Sequence, residues 1–186
     1  MAKRTLPSLA GDRVRLRPVE EADLPQTLAW RNQDHIRRWF VHSEVITPDQ
    51  HRAWFEGYRE RDDDFVFVIE ETRDLRKPVG QVSLYRIDWD RHRAEYGRLL
   101  IGEPDAAGRG LAREATDVLL RYATTTWGIG EIALEVFADN APAIAIYSGC
   151  GFTVQEQRGN LLSMIRQVVP IASARPWERS PGRRCS

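Results

Sequence analysis

Val14, Leu16 and Pro18 alternate with Arg13, Arg15 and Arg17, the two-residue period of a strand with one buried face. Leu24 and Leu28 then share a helical face and predict a helix over residues 20–31. Thr47 followed by Pro48 reads as an N-cap and first helical residue, opening a second helix that runs to about residue 61. Residues 59–64 are charged throughout and predict a loop. Strands are expected over 65–69, 79–87 and 94–101, separated by a polar turn at 71–77 and a hairpin-like link at 88–93. The strongest helix spans 111–127, where Leu111, Ala115, Val118, Leu119, Tyr122 and Ala123 keep to one face. A strand over 131–137 and a short helix over 141–150 follow. An antiparallel pair, 152–157 with 161–169, closes the chain around Arg158-Gly159-Asn160. The order β-α-α-β-β-β-α-β-α-β-β mixes hairpins with helical crossovers. It predicts an α/β (α+β) fold with a mixed, mostly antiparallel central sheet and about four flanking helices, not a doubly wound parallel sheet.

Composition narrows this picture. The chain has 186 residues, 42% of them hydrophobic and 29% charged, which suits one globular domain. A chain of this length buries about 70% of its unfolded surface and needs no disulfide or metal staple. Cys150 and Cys185 are too few for a disulfide framework, and neither has a second Cys or a His at zinc-ligand spacing. No apolar run is long enough to span a membrane, and the basic N-terminus lacks the apolar stretch of a secretory signal, so a cytoplasmic protein is expected. The formal net charge is zero, which argues against a general nucleic-acid binder. The charge is uneven: residues 1–18 carry +4 and 171–186 carry +3, leaving −7 on the body. An acidic body mildly favours a cationic substrate such as an amine, although an ordinary solvated surface explains it as well. Residues 171–186, with Pro176, Pro181 and several Arg, read as a mobile tail behind a single domain over 1–170.

Two stretches carry candidate chemistry. Ala107-Gly108-Arg109-Gly110-Leu111-Ala112 lies between a predicted strand and the best helix. Glycines there let backbone N–H groups approach an anion at a helix N-terminus, and Arg109 adds a cation for a phosphate. A plain glycine turn is the competing explanation. The stretch is neither a dinucleotide-binding fingerprint, since a third glycine is missing, nor a P-loop, since no Gly-Lys-Ser/Thr follows. The second stretch runs from Asn140 to Phe152. Asn140 is placed to cap the short helix, Pro142 falls in its first turn, and Gly151 ends it. Tyr147 on that helix is either a functional phenol or a packed core aromatic.

Together these stretches resemble the GNAT superfamily of acetyl-CoA-dependent N-acetyltransferases. Ala107-x-x-Gly110-x-Ala112 matches its phosphate-loop pattern, Arg/Gln-x-x-Gly-x-Gly/Ala, at all but the first position. Asn140, Ala143, Tyr147, Gly151 and Phe152 match the later pattern in full. The resemblance covers roughly residues 14–169. It implies a sheet splayed at the cofactor site, acetyl-CoA as cosubstrate and no metal. The strand Leu99-Leu100-Ile101 would pair with the pantetheine arm, the segment Ala107, Gly108, Arg109, Gly110, Leu111 and Ala112 would hold the pyrophosphate, and Asn140, Ala143 and Tyr147 would complete the cofactor site.

A finer resemblance lies in Trp30-Arg31-Asn32, Ile36-Arg37-Arg38-Trp39-Phe40, Ile46, His51 and Trp54-Phe55. It is similar to a branch acting on nucleotide-linked amino sugars, which shades into enzymes of ribosomal-protein N-termini. It implies an acceptor pocket lined by Arg31, Asn32, Arg37, His51 and Tyr85, with at least one of the three Trp serving only as core. The implied reaction moves an acetyl group directly to a primary amine of a small molecule. Homodimers are common in this branch, and no nucleic-acid or membrane partner is implied. Alternatives are a protein N-terminus, a polyamine or antibiotic aminosugar, and a non-catalytic CoA-binding module.

An amine attacks a thioester only when neutral, so the site needs a base. Glu95 is the favoured candidate, half-buried beside Tyr96, against the reading of a surface Glu paired with Arg93 or Arg98. His92 and His51 compete with it. Tyr147 is the candidate donor to the leaving thiolate, whereas Cys150 reads as a packed thiol.

Overall fold

In a computed structural model, which describes residues 3–168, the chain forms β1 (Leu9–Ala10), β2 (Val14–Pro18), α1 (Leu24–Arg31), α2 (Asp34–Arg37), α3 (Pro48–Arg59), β3 (Phe65–Glu71), β4 (Lys77–Asp88) and β5 (Arg93–Ile101). It continues through α4 (Leu111–Thr125), β6 (Glu131–Phe137), α5 (Ala141–Gly149), β7 (Thr153–Arg158) and β8 (Leu161–Gln167). The eight strands form one sheet in the order β1-β2-β3-β4-β5-β6-β8-β7. Every neighbouring pair is antiparallel except β5 with β6. The expected mixed, mostly antiparallel sheet is therefore present. The two elements absent from the sequence reading, β1 and α2, are two and four residues long, too short for a period to register. The expected tail lies outside the described residues.

Helices α4 and α5 cover one face of the sheet. Their core joins Leu111, Ala115, Leu119 and Ala123 of α4 to Phe65, Phe67 and Ile69 of β3. Helices α1 and α3 cover the other face, where Leu24, Phe55 and Tyr58 pack on Val66 and Val68. Strand β3 is thus apolar on both sides because it is covered on both sides. Glu114 ties the helix layer to the sheet: its Oε1 accepts the Arg13 and Val14 N–H groups at 2.6 and 3.2 Å.

The turn between β3 and β4 is organised by one buried carboxylate. Glu71, 3% exposed, accepts the backbone N–H groups of Arg73, Asp74, Leu75 and Arg76 at 2.5–3.2 Å. Burial alone would raise its carboxyl, but these donors outweigh it and hold the group below its ordinary value of 4.5. A depressed carboxylate stabilises the fold above the unfolded value and loses that contribution as pH falls through the folded one. Glu71→Gln should therefore be less stable than the parent at pH 7, with the gap closing below about pH 4.5. Urea unfolding at pH 7, 5, 4 and 3 measures this; a gap independent of pH would mean that the charge is immaterial.

Candidate active site

The parallel pairing of β5 with β6 is brief, joining Arg93, Ala94 and Glu95 to Glu131, Ile132 and Ala133. Beyond it the strands part. The reason lies in β5: between Gly97 and Leu100 it carries one residue more than β4 does between Ser83 and Gln81. Arg98 sits in this bulge at φ 53°, and such insertions bend a strand away from its neighbour. The Arg98 guanidinium is fixed on Asp64, 1% exposed, through Nη1–Oδ1 and Nη2–Oδ2 bonds of 2.7 and 3.0 Å. A cavity of about 540 Å³ opens where the strands separate. Tyr96 to Ile101 line one side, Glu135 and Val136 the other, and Ala112, Asn140, Ala143 and Tyr147 lie along the α4–α5 side.

At the mouth of this parting, Gly108 and Gly110 adopt φ 72° and 78°, which L side chains rarely take. Gly110 is the N-cap of α4 and offers no side chain to the helix end. The first N–H groups of α4 have no acceptor within the helix, and a β-carbon added at Gly108 would meet nothing within 4 Å. This is an open cradle of backbone donors on a helix N-terminus, a chemistry that fits a pyrophosphate. Arg109 is exposed and pairs with Asp74 at 3.6 Å, while Leu111 turns into the core. Of the residues expected to bind cofactor, Leu99, Leu100, Ile101, Ala112, Asn140, Ala143 and Tyr147 line the cavity, whereas Ala107, Gly108, Arg109 and Gly110, in the turn before α4, and Leu111, its first residue, do not. The Asn140 side chain accepts the Ala143 N–H at 3.3 Å, so it caps α5 from the cavity wall.

Tyr147 is 8% exposed and borders the cavity. Its ring meets Tyr96 and Phe152 edge-on at 5.8 and 6.0 Å, and Tyr96 is itself held by a 2.7 Å bond between its hydroxyl and Thr116 Oγ1. Burial, reinforced by Tyr85 nearby, pushes the Tyr147 hydroxyl above the ordinary value of 10, so the phenol keeps its proton at neutral pH. Cys150 is buried, and burial, with Asp117 beside it, pushes its thiol up to about 12.

The acceptor residues expected from sequence divide into two groups. Arg31 and Tyr85 line the main cavity. Arg31 and His51 line a second cavity of about 410 Å³, which shares Arg31, His42 and Arg98 with the first. Asn32 and Arg37 line neither; they bracket the loop at residues 38–47. Asn32 exchanges two hydrogen bonds with Ile46, at 2.8 and 2.9 Å, and Arg37 reaches the Ser43 carbonyl at 2.8 Å. Burial lowers the His51 imidazole below 6.5, which keeps it neutral at pH 7. His51 Nε2 lies 3.0 Å from the Thr27 hydroxyl, which is also within 3.0 Å of the Asp23 carbonyl. Of the three Trp, Trp30 is core at 2% exposure, whereas Trp39 and Trp54 border the first and second cavities.

Glu95 does not line either cavity. Its carboxylate pairs at 3.0 Å with Arg86, which has φ 48° in a second bulge, this one in β4. Its ion-pair partner is thus neither Arg93 nor Arg98. His92 lies in the β4–β5 turn, away from both cavities. Sequence reasoning missed Glu135, the one carboxylate among the described residues of the main cavity. Its signal was available: Glu135 interrupts the strand Glu131–Phe137 on the face opposite Ile132, Leu134 and Val136.

A splayed sheet, a glycine turn at the helix following β5 and a buried tyrosine at the parting define an acyl-CoA acyltransferase. The acetyltransferase (GNAT) domain family matches residues 13–153, and the chain belongs to that family of acetyl-CoA-dependent N-acetyltransferases. Among its relatives is alpha/beta-tubulin-N-acetyltransferase 9 of Homo sapiens, 25% identical over 77% of this chain and 74% of the relative. Spermidine N(1)-acetyltransferase of Vibrio cholerae is 26% identical over 74% of this chain and 77% of that one. The crystal structure of spermidine N-acetyltransferase from Vibrio cholerae in complex with CoA and spermine superposes with a TM-score of 0.75 at 22% identity, over 83% of this chain and 95% of that one. These relatives do not single out the amino-sugar or ribosomal-protein branch. Among the described residues, no helix is long and apolar enough to cross a membrane, and no group of three or more His, Cys, Asp or Glu could hold a metal ion.

Proposed function

We propose that the protein transfers an acetyl group directly to the primary amine of a small molecule, a nucleotide-linked amino sugar being the acceptor that best suits the site. The observation that supports this reading is that Tyr147 and Glu135 both line the cavity where β5 and β6 part. The N–H groups at 108–112 would hold the cofactor pyrophosphate, and Leu99 to Ile101 with Asn140 would hold its arm. When bound, acetyl-CoA supplies an activated thioester. Glu135 accepts a hydrogen bond from the incoming amine and passes its proton to water at the rim, since only the neutral amine is nucleophilic. Tyr147, kept protonated by its burial, donates to the sulfur as it leaves. Cys150 is protonated and borders neither cavity, which favours direct transfer over an acyl-enzyme.

The charge of the site bears on the acceptor. A polyamine carries several ammonium groups and calls for several carboxylates. Here each cavity has one, Glu135 in the first and Glu44 in the second, and Arg31 borders both. Two joined cavities also suit a compact acceptor with a tail better than a protein terminus lying in an open groove. The test is thiol release from acetyl-CoA across nucleotide-linked amino sugars, N-terminal peptides, aminoglycosides and polyamines. Turnover confined to peptides or polyamines would overturn the acceptor class.

The proposed base is tested by a pair of variants. Glu135→Gln should lower kcat/KM for the amine about 100-fold. Glu95→Gln should leave it near the parent value, because its carboxylate holds the Arg86 bulge and borders no cavity. The reverse ranking in steady-state assays would return the role to Glu95.

A further inference from the structure

Arg31 stands at the neck between the two cavities and lines both. It is 8% exposed, so it is buried like a core residue, yet among the described residues it makes no ion pair. Its Nη2 donates to the His42 carbonyl, its guanidinium carbon lies 4.0 Å from the centre of the Phe40 ring, and its Nη1 is buried with no hydrogen-bond partner. An arginine stays charged in such a place, and a buried charge without an ion pair is costly. Arg98, the other guanidinium at the neck, differs in this respect because Asp64 neutralises it. Glu44, which also lines the second cavity, favours the Arg31 charge from a distance but makes no ion pair with it. The neck therefore presents a guanidinium without an ion-pair partner among the described residues and with an unused N–H.

We infer that Arg31 binds an oxyanion of the acceptor, a phosphate or a carboxylate, which lies in the neck while the amine sits in the main cavity and the remainder enters the second cavity. This rests on the amine-acetylation reading above and names the kind of amine. The Arg31 Nη1 is sealed, so the anion reaches it when the guanidinium turns or the 38–47 loop that carries Phe40 and His42 gives way. A methionine at position 31 could fill much of the same space without placing a charge there, so packing alone does not account for the arginine.

Matched amines with and without an anion test this. Glucosamine is compared with glucosamine 6-phosphate and UDP-glucosamine, and alaninamide with alanine, by thiol release from acetyl-CoA. Native protein should use the phosphate-bearing or the carboxylate-bearing member at least tenfold better in kcat/KM, and the arm that responds names the source of the oxyanion. Arg31→Gln should abolish the preference while leaving the KM for acetyl-CoA near the parent value, and Arg31→Lys should restore part of it. Equal use of charged and neutral members, or an equal loss for both in Arg31→Gln, overturns the inference. Trp39 and Trp54 border the cavities, so quenching of intrinsic fluorescence reads binding without turnover. Saturable quenching by UDP-glucosamine or alanine that Arg31→Gln removes, with no thiol release from any amine, would sink the transferase reading and keep the anion site. Native protein showing neither quenching nor preference removes the anion site.

Discussion

Replacing Tyr147 by Phe is expected to lower kcat by a factor of 10 to 1000 while the Kd for acetyl-CoA stays near the parent value. The leaving thiolate of an acyl transfer from a thioester has an ordinary pKa of about 8.5, so it departs with modest help, and one donated hydrogen bond is worth about 1.4–4 kcal/mol of barrier. Tyr147 is suited to donate that bond. Burial holds its proton in place at neutral pH, its hydroxyl has no protein partner among the described residues, and its ring is clamped edge-on by Tyr96 and Phe152. The phenylalanine variant keeps both ring contacts and leaves no buried polar group stranded, so its thermal unfolding should match the parent. Tyr96→Phe makes a useful contrast. It removes one buried hydrogen bond, although the Thr116 hydroxyl still has the Ala112 carbonyl at 2.7 Å, and should cost about 1 kcal/mol of stability with little change in kcat. The measurements are single-turnover kinetics, titration calorimetry with acetyl-CoA and thermal melts. An unchanged kcat in Tyr147→Phe would mean that the thiolate leaves unaided and that the tyrosine is a packing residue.

The elements that position the site were legible where a strong local pattern coincided with tertiary need. Helix α4 declares itself by a long apolar stripe because that stripe packs on β3, and β3 reads as an unbroken apolar run because helices cover both its faces. The glycine turn and the Asn140–Phe152 stretch were legible for a different reason. Positive φ at Gly108, Gly110 and Gly151 restricts the residue type, so spacing survives in the sequence. The bulges were not legible. Arg86 and Arg98 take positive φ although they are arginines, each fixed by a carboxylate that is distant in sequence or in the partner strand. Local propensity speaks against arginine there, and only the long-range pair reveals it. The same gap explains Glu95, whose carboxylate pairs with a bulge that no local pattern announces. The acceptor side was read in part. Trp30, Asn32 and Arg37 stand in one motif with Arg31, yet they hold the core and the loop, because residues one or two apart at a helix end point into different surroundings and Arg37 stands on a separate helix.

Asp64→Ala should destabilise the protein by about 3 kcal/mol, lowering Tm by about 6–12 °C, and should also weaken acetyl-CoA binding. The stability effect follows from the pair itself. Asp64 is 1% exposed and receives both guanidinium nitrogens of Arg98, and removing one member of such a pair leaves the other charge without its partner. Arg98 is 28% exposed on its side chain, so water recovers part of the loss and the low end of the usual range applies. The binding effect follows from position. Arg98 is the bulged residue that turns β5 away from β6, and Leu99 to Ile101, which line the parting, come directly after it. A bulge released from its anchor lets those residues drift, and the arm of the cofactor would lose its fixed edge. Asp64→Asn, which keeps the shape and one acceptor, should fall between the two. The double variant Asp64→Ala with Arg98→Met should regain part of the stability, because the orphaned charge is gone, but not the cofactor affinity, because the bulge still lacks its anchor. Urea unfolding and acetyl-CoA titration of the four proteins separate these effects. Full recovery of both in the double variant would show that the pair only balances charge and does not shape the site.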